Sequence, residues 1–164
     1  MVEQVYLDTN VYCRPLDDQD NRRIQVESRA FLEIADIALR GEIKIISSDY
    51  VKFEVEQILD PLKRKDVRGF ERTLSSTNIA SSRQLISLAR EFSSKCGLNS
   101  LDALHVSAAC LGKASFFITC DDDVLDKKIC IERLAAEKRY RLKVRNPINY
   151  LQERGRVKRR QLRE

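Results

Sequence analysis

The sequence predicts an α/β fold in which a parallel sheet of four or five strands is covered by helices on both faces. Three observations carry this expectation. Short β-branched or aromatic runs alternate with amphipathic helical patterns, and the connections between them are short. The 164 residues also show no internal repeat and no linker, so they supply one core.

The first strand is Val2–Leu7, which delivers Asp8-Thr9-Asn10 at its carboxyl end. A polar loop, Leu16–Asn21, precedes a helix in which Ile24, Phe31, Leu32, Ala35, Ala38 and Leu39 share one face, and Gly41 closes it. Glu42–Ile46 is a second, apolar strand. Ser47-Ser48-Asp49 offers N-cap oxygens to a helix with Val51, Val55, Ile58, Leu59 and Leu62 inward and Pro61 near its end. The basic stretch Lys63–Arg72 joins it to a further short helix, and Leu85, Leu88, Ala89, Phe92 and Cys96 mark another between Ser81 and Gly97. Ser100 opens an almost wholly apolar helix over Leu101–Leu111, ended by Gly112. The third predicted strand, Ala114–Thr119, runs into Cys120-Asp121-Asp122-Asp123 and a helix over Val124–Lys138. A last strand, Arg141–Val144, leads through Asn146-Pro147 to a short helix. Residues 1–153 thus form the domain and 154–164 a basic C-terminal tail.

Composition narrows the class. With 43% hydrophobic and 34% charged residues the chain is neither disordered nor fibrous. No run of apolar residues is long enough to span a bilayer, and MVEQVYLDTN lacks the pattern of a signal peptide. A soluble, cytoplasmic protein that does not engage a membrane is expected. The five cysteines, Cys13, Cys96, Cys110, Cys120 and Cys130, form no C-x-x-C pair and read as buried or reduced thiols. Charge is uneven: residues 138–164 carry +9 and residues 1–137 carry −4. A basic end suits a polyanion and equally suits a merely solvated terminus.

Ligands of open parallel sheets bind beyond the carboxyl ends of the strands. Four acids occupy that position in chain order. Asp8 follows the first strand, Glu54 lies on the helix after the second, Asp102 sits in the first turn of the buried helix, and Asp121 follows the third predicted strand. Carboxylates grouped in a partly dry cleft stay ionised only when a cation compensates them, so the cluster points to Mg²⁺ or Mn²⁺. Each acid also has an ordinary role: Asp8 and Asp121 as turn or helix caps, Asp102 as a capping acid, Glu54 as a solvated helix residue.

The motifs L-D-T-N (7–10), S-x5-E (Ser48 to Glu54), D-A-L-H (102–105) and I-T-x-D (118–121), followed by V-x-N-P-x-x-Y-L (144–151), resemble those of PIN-domain nucleases, including VapC-like toxins. The resemblance implies a three-layer α/β/α sandwich and a metal-dependent endoribonuclease, using one or two Mg²⁺ or Mn²⁺ ions to cleave RNA. Asp8, Glu54, Asp102 and Asp121 are then the catalytic and metal-binding quartet, with Asp123 an additional metal-binding acid and Thr9, Asn10 and Thr119 supporting the site. It implies a homodimer as well and, for a toxin, a small antitoxin protein over the acidic cleft. His105 matches the same motif but reads as a packed, hydrogen-bonded core histidine.

An acidic cleft repels phosphate, so RNA contacts fall to basic residues: Lys63, Arg64, Lys65 and Arg68, with Arg72 beside them, form one patch. Arg14, Arg22 and Arg23 beside the Asp8 loop form a second, and the tail a third. Two rival readings stay open. A phosphotransfer domain with Asp8 as nucleophile fits the sheet but lacks the D-x-D of dehalogenase-like proteins, since Asn10 fills the second position. A catalytically silent PIN-like module that binds RNA or a protein would keep the same fold.

Overall fold

The computed structural model describes residues 1–164. Its centre is β1 (Glu3–Leu7), whose Val5, Tyr6 and Leu7 are fully buried because both faces of the strand are covered. It pairs in parallel with β2 (Ile43–Ser48) on one side and β4 (Phe116–Ile118) on the other, with Val5 opposite both Ile45 and Phe116. The outer strands are β3 (Ser75–Ile79), beside β2, and β5 (Lys143–Arg145), beside β4. All pairings are parallel, and the order is β3-β2-β1-β4-β5. The chain therefore moves outward from β1 to β3, crosses back, and continues from β4 to β5. The reversal falls between β1 and β4, where the connections leave in opposite directions and open a crevice at the carboxyl ends.

Helices complete the three layers. After β1 come α1 (Thr9–Cys13), a short 3-10 turn (Arg14–Leu16) and α2 (Arg22–Leu39); α3 (Asp49–Glu56) and α4 (Pro61–Leu74) follow β2. A hairpin of α5 (Arg83–Cys96) and α6 (Ser100–Leu111) connects β3 to β4. Gly97 ends α5 in the left-handed conformation at φ 69°, which glycine adopts without a Cβ penalty. Beyond β4 lie α7 (Asp122–Leu125), α8 (Lys128–Glu137) and, after β5, α9 (Pro147–Gln161). The α9 helix packs on α2 and β4, while α8 packs on α5 and β5.

Several expectations are corrected. The strand β3 is not among the expected elements, because its sequence SSTNI is polar; as an edge strand with little buried surface it carries no apolar run. Asp121 accordingly follows the fourth strand rather than the third. The single helix expected over Val51–Leu62 is two, since Pro61 starts α4 at its first turn behind the N-cap Asp60. Leu59 and Leu62, expected inside, are 94% and 75% exposed. The helix over Val124–Lys138 is likewise divided between α7 and α8. The basic tail is not separate: α9 continues through it to Gln161. Cys96 and Cys130 form a disulfide that ties α5 to α8, whereas Cys13, Cys110 and Cys120 are free thiols. No helix is long and apolar enough to cross a membrane.

Candidate active site

Asp8 stands where β1 becomes α1, and only 4% of it is exposed. It is the N-cap of α1, and Oδ1 accepts the Thr9 N–H at 2.8 Å. Oδ2 accepts from Thr119 Oγ1 at 2.8 Å and from Asn10 Nδ2 at 3.2 Å. Asn10 Oδ1 in turn accepts the Cys120 N–H at 3.0 Å, and Thr119 Oγ1 accepts the Asp121 N–H at 3.0 Å. Thr9, Asn10 and Thr119 thus lock the ends of β1 and β4 together and fix the Asp8 carboxylate at the switch point.

Glu54 reaches the same crevice from α3. Its Oε1 accepts from Thr9 Oγ1 at 2.9 Å and makes a short hydrogen bond with His105 Nε2. His105 lies on α6, fully buried, with Nδ1 2.7 Å from the Tyr6 hydroxyl; that hydroxyl is 2.6 Å from Ser48 Oγ. Ser48 also accepts the Tyr50 and Val51 N–H groups as the N-cap of α3. A hydrogen-bonded chain therefore runs from the helix that carries Glu54, through β1 and α6, back to Glu54 itself. Its consequence is a carboxylate held at both its backbone origin and its tip.

The ligand atoms of Asp8, Glu54 and His105 lie within 4.8 Å of one another. Burial raises the Asp8 pKa, against the opposing field of His105. Asp102, in the first turn of α6, is pushed up to about 6 by burial and by repulsion from Asp8, Asp121 and Glu54. Burial would depress His105, but its hydrogen bond to Glu54 and the fields of Asp8, Glu54 and Asp102 outweigh this and raise it. The same histidine outweighs burial at Glu54 and holds that carboxyl low. No lysine or arginine forms an ion pair with Asp8, Glu54, Asp102 or Asp121; the only basic side chain against them is His105. Such a set of hard oxygen donors, mutually repelling and without a guanidinium, fits a divalent cation.

Of the four acids, Asp8 and Glu54 bring ligand atoms together with His105, while Asp102 lies near enough to Asp8, Asp121 and Glu54 to be repelled by each. Asp121 caps α7, its Oδ1 accepting the Asp123 N–H at 2.9 Å. Asp123 itself is exposed and does not belong to the Asp8–Glu54–His105 cluster. His105 is the buried, hydrogen-bonded residue expected, yet it is also inside the site. Tyr6 is a site residue that the sequence alone does not reveal, because nothing in it signals that its hydroxyl will meet that of Ser48, 42 positions away, which opens the S-x5-E motif.

The basic residues around the cleft are largely engaged. Arg14 pairs with Asp17 and Glu27, Arg23 with Glu27 and Asp122, Lys63 with Asp17, and Arg68 with Glu56. Arg64 donates to the Ile58 carbonyl. Only Arg22, Lys65 and Arg72 of these candidates are exposed without a hydrogen-bonded or ion-paired partner.

A doubly wound sheet with carboxylates and no guanidinium at its switch point defines an α/β protein whose crevice could hold a cation. The family model described as PIN domain matches residues 5–129, and the chain belongs to that family. PIN domains are typically metal-dependent nucleases. A comparison with curated proteins found no match.

Proposed function

We propose that the protein is a Mg²⁺- or Mn²⁺-dependent endoribonuclease that hydrolyses phosphodiester bonds in RNA. The observation that carries this reading is the meeting of Asp8, Glu54 and His105 within 4.8 Å at the switch point, with no arginine or lysine to neutralise the acids. Asp8, Glu54, Asp102 and Asp121 would hold one or two ions, directly or through water. The metal, when bound, supplies Lewis acidity and lowers the pKa of a coordinated water.

The chain's own groups do the rest. Thr9, Asn10 and Thr119 hold Asp8 in one orientation, which leaves a lone pair on Oδ1 without a donor. His105 holds Glu54 and is itself held by Tyr6, so this side of the site is preorganised. No nucleophilic serine or cysteine adjoins His105, and hydrolysis by water needs none. The proposed RNA substrate favours a cytoplasmic location, whereas the Cys96–Cys130 bridge favours an oxidising one, since reducing compartments keep thiols reduced. A homodimer, and an antitoxin if the protein is one half of a toxin pair, complete the proposal.

Cleavage of labelled single-stranded RNA with Mg²⁺, Mn²⁺ or EDTA tests it. The parent should cut only with the metals, and Asp8→Asn and Asp102→Asn, checked for equal folding, should lose at least ~100-fold in rate. Unchanged cleavage in both variants removes the site. RNA binding without cleavage under any metal returns the silent-module reading.

A further inference from the structure

The cations named beside the acidic cleft are mostly taken up in ion pairs, with Arg22, Lys65 and Arg72 left over. A second set of cations at the opposite edge of the sheet is free. Lys113, Arg139 and Arg141 line one cleft of about 310 Å³ with Ala114, Ser115 and Tyr140, and no carboxylate lines it. All three are exposed, and none has a side-chain hydrogen bond or ion pair. Lys113 and Arg139 are also the two non-glycine residues with positive φ, at 59° and 68°. Both follow the C-cap of a helix, α6 and α8, where the left-handed conformation commonly ends a helix.

This cleft adjoins the amino ends of the strands. The Ser115 N–H donates to the Gln4 carbonyl near the start of β1, and the Lys143 N–H at the start of β5 donates to the Ser115 carbonyl. The end of α9 reaches the same edge. Arg154 pairs with Glu3 and Glu42, and Lys158 with Glu42, at the first residue of β1 and just before β2. With the helix pinned there, Arg156, Arg159, Arg160 and Arg163 remain exposed and unpaired. Arg156 and Arg160 follow i, i+4 spacing and so lie along one side of the helical end, with Arg163 just beyond its C-cap. Asp8 lies across the sheet, beyond the carboxyl end of β1.

We propose that this amino edge is an RNA-anchoring surface. Phosphates of the strand bind the Lys113–Arg139–Arg141 cleft and the arginines of α9, while another part of the same RNA reaches the acidic cleft at the carboxyl edge. Guanidinium groups spread along a convex helix suit repeated phosphates, which they bind in bidentate fashion, better than a single enclosed anion. The choice of RNA as the polyanion rests on the ribonuclease reading of the acidic cleft; the existence of an anchoring surface does not.

Two full-length variants test the inference: Lys113→Asn with Arg139→Asn and Arg141→Gln, asparagine being tolerant of positive φ, and Arg156→Gln with Arg159→Gln, Arg160→Gln and Arg163→Gln. Anisotropy of labelled single-stranded RNA is measured in EDTA across a salt series, so that binding is read without cleavage. Removing one cation–phosphate pairing should lower the log–log salt slope by about 0.7, hence by up to about 2 for the cleft variant and about 3 for the helix variant. With metal present, KM for cleavage should rise and kcat stay at the parental value. Parental affinity and slope in both variants overturn the inference. Retention of the parent by phosphatidylserine vesicles, with no RNA binding, overturns it too. Reduced slopes in the variants, with no cleavage by the parent under any metal, sustain the anchoring surface and defeat the ribonuclease reading instead.

Discussion

Two acidic residues of the same crevice wall, Asp8 and Glu27, meet opposite fates. Asp8 is buried with three neutral donors around it and a histidine 3.9 Å away, and burial raises its pKa. Glu27, 1% exposed, is clasped by Arg14 and Arg23, and Arg23 goes on to Asp122. One acid awaits a cation from solution, and the other has its cations built into the chain. The contrast separates acids that serve chemistry from acids that serve the fold, although the two types are indistinguishable as letters in the sequence.

Substitutions break the contrast in different observables. Asp8→Asn should lower metal-dependent cleavage at least ~100-fold while leaving the metal-free protein about as stable as the parent, because it removes a buried charge that lacks a lysine or arginine partner. An uncharged reference is the Cys96–Cys130 bridge: replacing both cysteines with alanine should cost about 4 kcal/mol in chemical denaturation, since the unfolded chain regains the freedom of a loop spanning 34 residues. Glu27→Gln should cost about 1 kcal/mol, since Arg14 and Arg23 each lose one carboxylate and keep another, Asp17 and Asp122, with cleavage much less affected.

The pH response should show the same division with opposite signs. Asp102, raised to about 6, binds its proton more tightly folded than unfolded. Its contribution to the stability of the metal-free protein therefore declines as pH rises from the ordinary aspartate range to about 6, and is flat above. Asp122 is lowered by its hydrogen bonds to Arg23, so its contribution is present above the ordinary range and fades as pH falls. Melting temperatures of Asp102→Asn and Asp122→Asn against the parent, across acid pH without divalent ions, should deviate in opposite directions. The smallest effect belongs to Arg68→Gln, whose pair with Glu56 lies at the surface; stability should change by less than about 1 kcal/mol.

Much of the fold is legible because its inner strands are short apolar runs that end in acids. EQVYL before Asp8 and FFI before Thr119 announce both the sheet and the edge where its ligands bind. The strand SSTNI carries no such signal, since an edge strand buries too little to demand apolar residues. Pro61 is ambiguous as a letter because proline can mark either end of a helix, and the N-cap Asp60 decides for the start. The tail shows no helical pattern, for its hold on the body is ionic, through Arg154 and Lys158, rather than apolar. The order of the four carboxylates along the chain points to one edge of the sheet, and of them Asp8 and Glu54 meet there. The Ser48–Tyr6–His105–Glu54 chain cannot be read that way, because it depends on which residues the sheet order brings side by side.

Calorimetric titration with Mg²⁺ or Mn²⁺ tests the central claim most directly. Saturable uptake by the parent is expected, abolished in Asp8→Asn and retained in Glu27→Gln. Equal uptake by parent and Asp8→Asn, or none by a folded parent, would contradict the account.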